Sequence, residues 1–378
     1  MTLPPLTYLT VDALADGVGA SQVVPYVEGL ARRGLHVTVH SFEHAGSDPH
    51  TDARLRTCGV DWRPHAFGAP GSRGGLGRVA RLARAGRRAE LVHARGDLAA
   101  AAAMLGGAER WVWDVRSFFA DQRIELGTLR GGSLEDRTLR RIEQRSARSA
   151  DGVVTLSQAA LPVLEARHGP GLVAKATVIP TCVDLDRFVG APMPTSDSLE
   201  LLFSGSLNRY YDVPTMLRLT RHVRLRRPTQ LTVLSPGSTP WEATLDSADV
   251  RRRSATPRDV PEHLRASHAG LSVCRSDLGD SLRAAMPTKI AEFLASGRPV
   301  VVNAGLGDMD ALVRGHRCGV VLHGTDDTSL DRAAAELLAL VDDPATPDRC
   351  RDLAEEHFGI DRAVDRLIRV YESATSTA

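Results

Sequence analysis

Residues 6–39, LTYLTVDALADGVGASQVVPYVEGLARRGLHVTV, determine how the first half of the chain folds. An apolar and β-branched run over residues 6–11 predicts a strand, a helical pattern then extends to Arg33, and residues 36–42 predict a second strand. Short strands that alternate with helices are typical of a parallel sheet with crossover helices on both faces. The predicted fold class is therefore α/β.

The same alternation continues along the chain and predicts two domains. Further strands are predicted over residues 91–94, 111–115, 152–156, 177–179, 199–203, 231–234, 271–274, 299–302 and 319–322. Residues 189–198 are rich in Pro, Ser and Gly and lack periodicity, which is typical of a linker. We expect Rossmann-like, doubly wound domains over residues 1–190 and 199–360, and a C-terminal helix over residues 361–378 that can pack back on the N-terminal domain.

Composition excludes several classes of protein. A chain of 378 residues fits two domains of ordinary size. The 47 Lys and Arg residues nearly balance 46 acidic residues, which leaves no overall positive field for nucleic acid. Five cysteines without a CxxC pair indicate neither a disulfide framework nor a cysteine-rich zinc site, so a cytoplasmic location is expected. No apolar run approaches the length of about 18 residues that a membrane span needs.

Two glycines mark the first candidate site. Gly17 and Gly19 lie where the first predicted strand passes into a helix. Such a turn directs backbone N–H groups and the positive end of the helix dipole toward an anion, typically a phosphate. Gln22 stands where the dinucleotide fingerprint has its third glycine, so a tight turn without a ligand remains the alternative.

Residues 287–301, PTKIAEFLASGRPVV, contain the second candidate site. Pro287 suits the start of a helix, and Lys289 and Glu292 lie three residues apart on one helix face. A lysine in the first helical turn opposes the helix dipole, which is tolerable when an anion lies between them. Glu292 is then placed to accept hydrogen bonds from ribose hydroxyls. The alternative is an exposed ion pair of little energetic consequence.

These residues also carry a resemblance to a known family. Residues 287–301, together with GVGAS at 17–21, GLHVTV at 34–39 and VIPTCVDLDRF at 178–188, resemble segments of the family 4 glycosyltransferases. The resemblance implies the GT-B fold, in which two Rossmann-like domains face a central cleft. It also implies a hexosyl- or related glycosyltransferase that moves a sugar from a UDP- or GDP-linked donor to an acceptor hydroxyl with retention, and requires neither metal nor cofactor.

The resemblance implies roles for particular residues. Gly17 and Gly19 would approach the donor diphosphate, and Glu292 would bind the nucleotide ribose. Lys289 and Arg209 would supply the cations that stabilise the leaving phosphate. Ser206 and Thr288 would complete the donor site. The chain departs from the family pattern in two places: Ala284 stands where a glutamate is usual, and residues 203–212, FSGSLNRYYD, lack the usual Arg and Lys pair.

The loop after the predicted strand at 111–115 is the candidate acceptor side. Residues 113–122, WDVRSFFADQ, set charges among aromatic side chains. Asp114 and Arg116 alternate with Val115, so their side chains face the same side and are placed to contact acceptor or donor sugar. A mutual ion pair of these two residues is the alternative.

The arginine-rich residues 73–88 predict a basic amphipathic helix. Its two predicted faces are Arg73, Arg78, Arg81, Arg84, Arg87 and Arg88 on one side and Leu76, Val79, Leu82 and Ala83 on the other. The helix either packs on its own sheet with its arginines in solvent, or rests on an anionic membrane surface as a peripheral contact.

Two other functions remain open on the sequence alone. Glu43 lies 24 residues after Gly19, close to the ribose-binding spacing of an NAD(P)-dependent oxidoreductase. Ala284 and the altered basic pair suit a GT-B protein that binds a nucleotide sugar without catalysing transfer.

Overall fold

The computed structural model describes residues 3–15, 17–44, 46, 48–246 and 248–376. The chain forms two compact units: one contains the described residues up to Pro180 and those from Ile360 onward, and the other is Thr181–Gly359. The chain passes from the first unit to the second eight residues before the predicted linker at 189–198, so that segment lies inside the second unit.

A seven-stranded parallel sheet forms the first unit, in the order β3-β2-β1-β4-β5-β6-β7. Its strands are β1 (Leu6–Leu9), β2 (Val37–Glu43), β3 (Asp61–Ala66), β4 (Leu91–Arg95), β5 (Arg110–Val115), β6 (Gly152–Thr155) and β7 (Ala176–Val178). Its helices are α1 (Gly17–Gln22), α2 (Val24–Arg32), α3 (Pro49–Thr57), α4 (Gly71–Ala85), α5 (Asp97–Gly106), α6 (Phe119–Glu125), α7 (Leu134–Ser149), the 3-10 turn Gln158–Ala160, α8 (Leu161–His168) and α9 (Pro170–Val173).

The second unit repeats this arrangement with six parallel strands in the order β10-β9-β8-β11-β12-β13. They are β8 (Leu199–Ser204), β9 (Thr229–Leu234), β10 (Val250–Arg253), β11 (Ala269–Ser272), β12 (Val300–Asn303) and β13 (Gly319–Leu322). The helices are α10 (Val213–Arg224), α11 (Glu242–Asp246), α12 (Val260–Ala266), α13 (Asp280–Arg283), α14 (Thr288–Ala295), α15 (Met309–Gly315), α16 (Asp327–Asp342), α17 (Thr346–Leu353) and the π turn Ala354–Phe358. The predicted α/β class with two doubly wound sheets is confirmed.

The last helix, α18 (Ile360–Ser376), returns to the first unit and packs against α2, β5 and β6. Arg33, just after α2, donates from Nε to Asp365 at 2.6 Å and from Nη2 to Asp361 at 3.1 Å. Farther along α18, Val364, Leu367 and other apolar side chains are buried, which gives the helix one apolar face on the sheet side.

The predicted helix at 73–88 is present as α4, but its predicted faces are partly wrong. Arg78 is only 8% exposed and donates from Nη1 to the carbonyls of Phe67 and Ala69, both at 3.1 Å. Its guanidinium also lies 4.1 Å from the centroid of the Phe67 ring. Leu76, expected to face the sheet, is 71% exposed. Among the helices in the described ranges, none is both long and apolar enough to cross a membrane.

Candidate donor-binding and charge-network sites

Lys289 lies in the first turn of α14, which begins at Thr288 directly after Pro287. Its side chain is buried, and within the described residues its Nζ has no hydrogen-bond partner. The ammonium instead lies 3.6 Å from the centroid of the Phe203 ring and 3.8 Å from that of Tyr211. Cation–π contact with the two rings stabilises the positive charge of Lys289 only in part, because a ring face does not replace the hydrogen-bond acceptors that the N–H groups lose on burial.

Burial shifts the acid–base behaviour of this lysine. Desolvation lowers the pKa of Lys289 to about 7, while Cys274 and Glu292 act in the opposite direction. Glu292 is half-buried, and burial raises its pKa, against the lowering effect of Arg187 and Lys289. The alternative of an exposed Lys289–Glu292 ion pair is wrong, since the lysine is buried and its Nζ is unpaired among the described residues.

Close packing of α14 on the second sheet fixes the position of Lys289. At Gly270 in β11, a Cβ atom would lie 2.3 Å from Cδ2 of Phe293, so only glycine lets the α14 ring lie against the strand. Gly205 follows β8 with φ +102, and a Cβ there would lie 3.9 Å from the Lys289 Nζ. The ammonium is therefore held at the carboxyl end of β8, one of the two central strands at which the strand order reverses. Ligands bind beside such a switch point in doubly wound sheets.

The other predicted donor-site residues lie around this position with less definite contacts. Ser206 and Arg209 are exposed in the loop after β8, and the Arg209 carbonyl accepts from Arg275 at 3.5 Å. Thr288 is half-buried at the start of α14. Ala284 is fully buried, so the position of the usual family glutamate is closed over by the fold.

A cavity of about 330 Å³ opens at the carboxyl ends of β9 and β10 in the same unit. It is lined by five polar residues, by Gly237 and by two apolar side chains; the polar residues are Ser235, Thr239, Arg252, Arg253 and Ser254. The volume is at the lower end of the range typical of small-molecule sites. Sequence reasoning did not identify this cavity, because β10 was not predicted as a strand.

The two glycines of the first unit lie in and beside a short helix. Gly17 is the first residue of α1 and has φ +53. At Gly19 a Cβ atom would lie 1.8 Å from the carbonyl oxygen of Ala13, so a side chain is excluded by the chain's own backbone. The tight-turn alternative thus accounts for Gly19 without a ligand, and the approach of either glycine to a diphosphate stays a prediction.

Asp114 and Arg116 form the ion pair considered above, but within a larger buried network. Arg116 donates from Nη1 to Asp114 Oδ1 at 3.3 Å, and Arg95 donates from Nη1 to Asp114 Oδ2 at 3.5 Å. Arg95 also donates from Nε to Asp12 Oδ2 at 2.8 Å. Burial raises the pKa of Asp114, but Arg116, His93 and Arg95 outweigh it and hold that pKa well below its usual value.

His93 connects this network to the C-terminal helix. Its Nε2 lies 3.2 Å from Asp114 Oδ2, and its Nδ1 lies 3.0 Å from the hydroxyl of Tyr371 in α18. Burial lowers the pKa of His93, so the ring is neutral. Because Asp114 is ionised, we assign the proton to Nε2, which donates to Asp114, while Nδ1 accepts from Tyr371. His93, Arg95 and Tyr371 were missed from the sequence, although polar residues inside the apolar run LVHAR at 91–95 are a signal that marks the first two.

A small cavity adjoins the network on the side of Arg116. It holds about 10 Å³, room for one water molecule, and Tyr8, Gln22 and Tyr26 also line it. Within the described part of the chain, Nε of Arg116 is buried without a hydrogen-bond partner. The Nε–H of this guanidinium is therefore not satisfied by any of the described residues.

Glu43 holds the loop after β1. Its Oε1 accepts from the Leu14 N–H at 3.0 Å and the Ser41 hydroxyl at 2.6 Å, and its Oε2 accepts from the Ala15 N–H at 3.4 Å. Both carboxylate oxygens are thus engaged by the protein. The Glu43 carboxylate is therefore not available to bind a ribose, and that contact was the feature that suggested an NAD(P)-dependent oxidoreductase.

Comparison with known proteins agrees with this architecture. The family model of Glycosyltransferase Family 4 matches residues 20–187. No curated protein matches the chain in sequence. The resemblance to family 4 glycosyltransferases is confirmed over residues 20–187, and the GT-B fold is confirmed along nearly the whole chain.

Three solved structures illustrate the fold match. Sucrose-phosphate synthase from Thermosynechococcus elongatus has a TM-score of 0.76 at 16% identity, over 99% of this chain and 100% of that chain. HepE from Anabaena, in complex with UDP and glucose, has a TM-score of 0.70 at 14% identity, over 98% and 100%. WaaG, a glycosyltransferase involved in lipopolysaccharide biosynthesis, has a TM-score of 0.69 at 16% identity, over 96% and 99%. At these identities the likeness establishes the fold.

Proposed function

We propose that this protein transfers a sugar from a UDP- or GDP-linked donor to an acceptor hydroxyl, with retention at the anomeric carbon. The observation that carries the proposal is Lys289, a buried ammonium without a hydrogen-bond acceptor among the described residues. A buried cation without a partner is costly, and a bound diphosphate supplies the missing negative charge and acceptors. The HepE structures in complex with UDP and with UDP-glucose support a nucleotide sugar as the donor class.

The chemistry of transfer explains why a cation is needed there. As the anomeric C–O bond breaks, the departing nucleoside diphosphate gains negative charge on its leaving oxygen. A preorganised cation stabilises that charge, and removing one such donor typically costs about 3 kcal/mol, on the order of a hundredfold in rate. We assign this role to Lys289, with Arg209 as the second cation and the hydroxyls of Ser206 and Thr288 as neighbouring donors. No metal or cofactor is required in this proposal.

The nucleoside is assigned to the same unit. Glu292 binds the ribose hydroxyls, because its half-buried carboxylate lies one helical turn from Lys289. The base is assigned to the cavity of about 330 Å³ beyond β9, whose Ser235 and Ser254 offer polar atoms.

Asp114 and Arg116 are assigned to the sugar or acceptor side. The network keeps Asp114 ionised, and the unsatisfied Nε of Arg116 is available to a ligand oxygen or a water molecule. Asp114 already accepts from three partners, so its proposed role is to fix Arg116 and to bind hydroxyls rather than to attack the anomeric carbon. We propose no enzymic nucleophile.

The second candidate is a protein that binds nucleotide sugars without transferring them. It is favoured by Ala284, because a fully buried methyl group occupies the position of the usual carboxylate contact to the donor sugar. Turnover of donor, with or without an acceptor, distinguishes the two candidates.

The direct test measures donor hydrolysis or transfer by mass spectrometry with UDP- and GDP-sugars. Lys289→Ala is expected to lower the rate by about a hundredfold, because the leaving diphosphate loses its buried cation. Lys175→Ala is the matched control, since this other lysine donates to the Ala150 carbonyl in the first unit. Activity of Lys289→Ala within about twofold of the wild type would make the phosphate assignment wrong. The absence of turnover in the wild-type protein, with nucleotide still bound, would favour the second candidate.

A further inference from the structure

Three potential metal ligands converge in the second unit, outside the donor-binding residues. Nε2 of His316 lies 3.2 Å from Oε2 of Glu356, and Nε2 of His357 lies 3.3 Å from Oε1 of the same carboxylate. One ligand atom from each of the three residues lies within 4.8 Å of the other two. Both histidines are half-buried and Glu356 is exposed, so an ion can reach them from solvent.

The separations suit a small transition-metal ion. Zinc binds histidine nitrogen and carboxylate oxygen at about 2.0–2.2 Å, which places neighbouring ligand atoms of a tetrahedron about 3.3 Å apart. Each imidazole nitrogen lies at this distance from one oxygen of Glu356, His316 from Oε2 and His357 from Oε1, and the three ligand atoms need only a small further approach to surround an ion. Two imidazoles with one carboxylate form a ligand set that zinc uses when the fourth position is left to water.

The fold orients His316 in the way that a metal ligand requires. Its Nδ1 lies 3.1 Å from the carbonyl of Leu312, so Nδ1 carries the proton and the Nε2 lone pair points toward Glu356. Metal-binding histidines commonly donate their other ring N–H to a carbonyl in this manner, which fixes both tautomer and ring orientation.

The three residues lie on two irregular segments of backbone, the end of α15 and the π turn Ala354–Phe358. His316 ends α15 in a Schellman motif, in which Cys318 N–H bonds the Val313 carbonyl and Arg317 N–H bonds the Arg314 carbonyl. Glu356 and His357 lie on the π turn Ala354–Phe358, a type of distortion frequent at functional sites. The π turn brings two consecutive side chains toward the end of a helix about 40 residues earlier in the sequence.

We propose that His316, Glu356 and His357 bind a divalent transition-metal ion, and that the ion is Zn²⁺ on the basis of its preferred ligands and geometry. The ion would link the end of α15 to the π turn, which in turn packs against α14. None of the three residues is among those assigned to the donor, and the ion takes no part in the proposed transfer. Its role is to tie together the last elements before the chain leaves the second unit at Gly359.

The test is titration of the full-length, metal-free protein with Co²⁺ followed by Zn²⁺. We expect one equivalent of Co²⁺ to produce the ligand-field absorption of a low-coordinate site, and Zn²⁺ to displace it. Separately, Zn²⁺ is expected to raise the melting temperature of the protein. His316→Ala, His357→Ala and Glu356→Gln should each weaken metal affinity by about tenfold or more, since each removes one ligand or its charge.

Two control variants separate this site from other imidazoles. His323→Ala removes an exposed histidine of the same unit, and His65→Ala breaks the pair in which His40 Nδ1 and His65 Nε2 are 3.1 Å apart. Both should bind Co²⁺ as the wild type does. A cooperative thermal unfolding transition, measured for each variant without metal, shows whether that variant folds. Absence of metal binding, or unchanged metal affinity in folded His316→Ala and His357→Ala, overturns the proposal. Loss of Co²⁺ binding in His65→Ala, or a cysteine-to-cobalt charge-transfer band, also overturns it, because either result places the ion at other ligands.

Discussion

Burial removes the ammonium of Lys289 from water and leaves it above two aromatic rings with its N–H groups unpaired among the described residues. The other lysine of the chain, Lys175, bonds a backbone carbonyl instead. The sequence predicted that Lys289 and Glu292 share a helix face, because helix spacing is local information. It could not predict the Phe203 and Tyr211 rings, because these come from other elements and only strand order brings them to α14.

The buried carboxyl group of Asp97 makes the free energy of unfolding depend on pH. It is 5% exposed, it opens α5, and Trp113 Nε1 donates to its Oδ1 at 3.3 Å. Burial, with smaller contributions from Glu143 and Asp121, raises its pKa to about 8. The folded protein therefore holds a proton on Asp97 that the unfolded chain releases above its ordinary pKa of 3.8. It follows that this group reduces the free energy of unfolding as pH rises from about 4 to about 8.

We predict that Asp97→Asn removes this pH dependence and stabilises the protein at pH 8. The amide still accepts the Trp113 hydrogen bond and carries no charge. The gain should be on the order of a few kcal/mol, since one pKa unit corresponds to about 1.4 kcal/mol. Urea unfolding at pH 5 and pH 8 measures it, with Asp52→Asn on the surface of α3 as the control. Parallel pH profiles for Asp97→Asn and the wild type would contradict the prediction.

At the scale of elements, one outer strand of each sheet, β3 and β10, was missed, whereas the other strands were predicted. Central strands are buried on both faces and appear as apolar runs. The outer strands β3, DWRPHA, and β10, VRRR, are mostly exposed and carry charges, and β3 contains Pro64. Proline and charge are tolerated where one strand edge faces solvent, so hydrophobic patterning gives no signal there.

The end of α15 provides a test of helix termination. Arg317 has φ +52 at the position of the Schellman motif that glycine usually occupies. A side chain in this conformation costs about 1 kcal/mol. Arg317→Gly should therefore raise the free energy of unfolding by up to about 1 kcal/mol, measured by chemical denaturation. Arg317→Ala keeps the Cβ atom and should give no such gain, so equal effects of the two substitutions would show that the backbone conformation is not the cause.

At the scale of the whole molecule, two units share one architecture, and the chain passes between them twice, after Pro180 and after Gly359. Alternation of strands and helices was sufficient to predict two doubly wound sheets. It was not sufficient to place the boundary, because residues 189–198, rich in Pro, Ser and Gly, have a stronger linker composition than residues 181–188, where the chain enters the second unit. The return of the C-terminal helix to the first unit was expected, but its individual partners Arg33 and His93 were not, since these contacts span more than 270 residues.

The central claim is that the second unit binds a nucleoside diphosphate through Lys289, and calorimetric titration with UDP, GDP, ADP and NAD tests it most directly. We predict that UDP or GDP binds the wild type and NAD does not. Lys289→Met, which keeps an apolar chain above the rings but carries no charge, should weaken that binding by at least about tenfold. Lys175→Met should bind as the wild type does. Equal affinity of the wild type and folded Lys289→Met for the nucleoside diphosphate would contradict the claim.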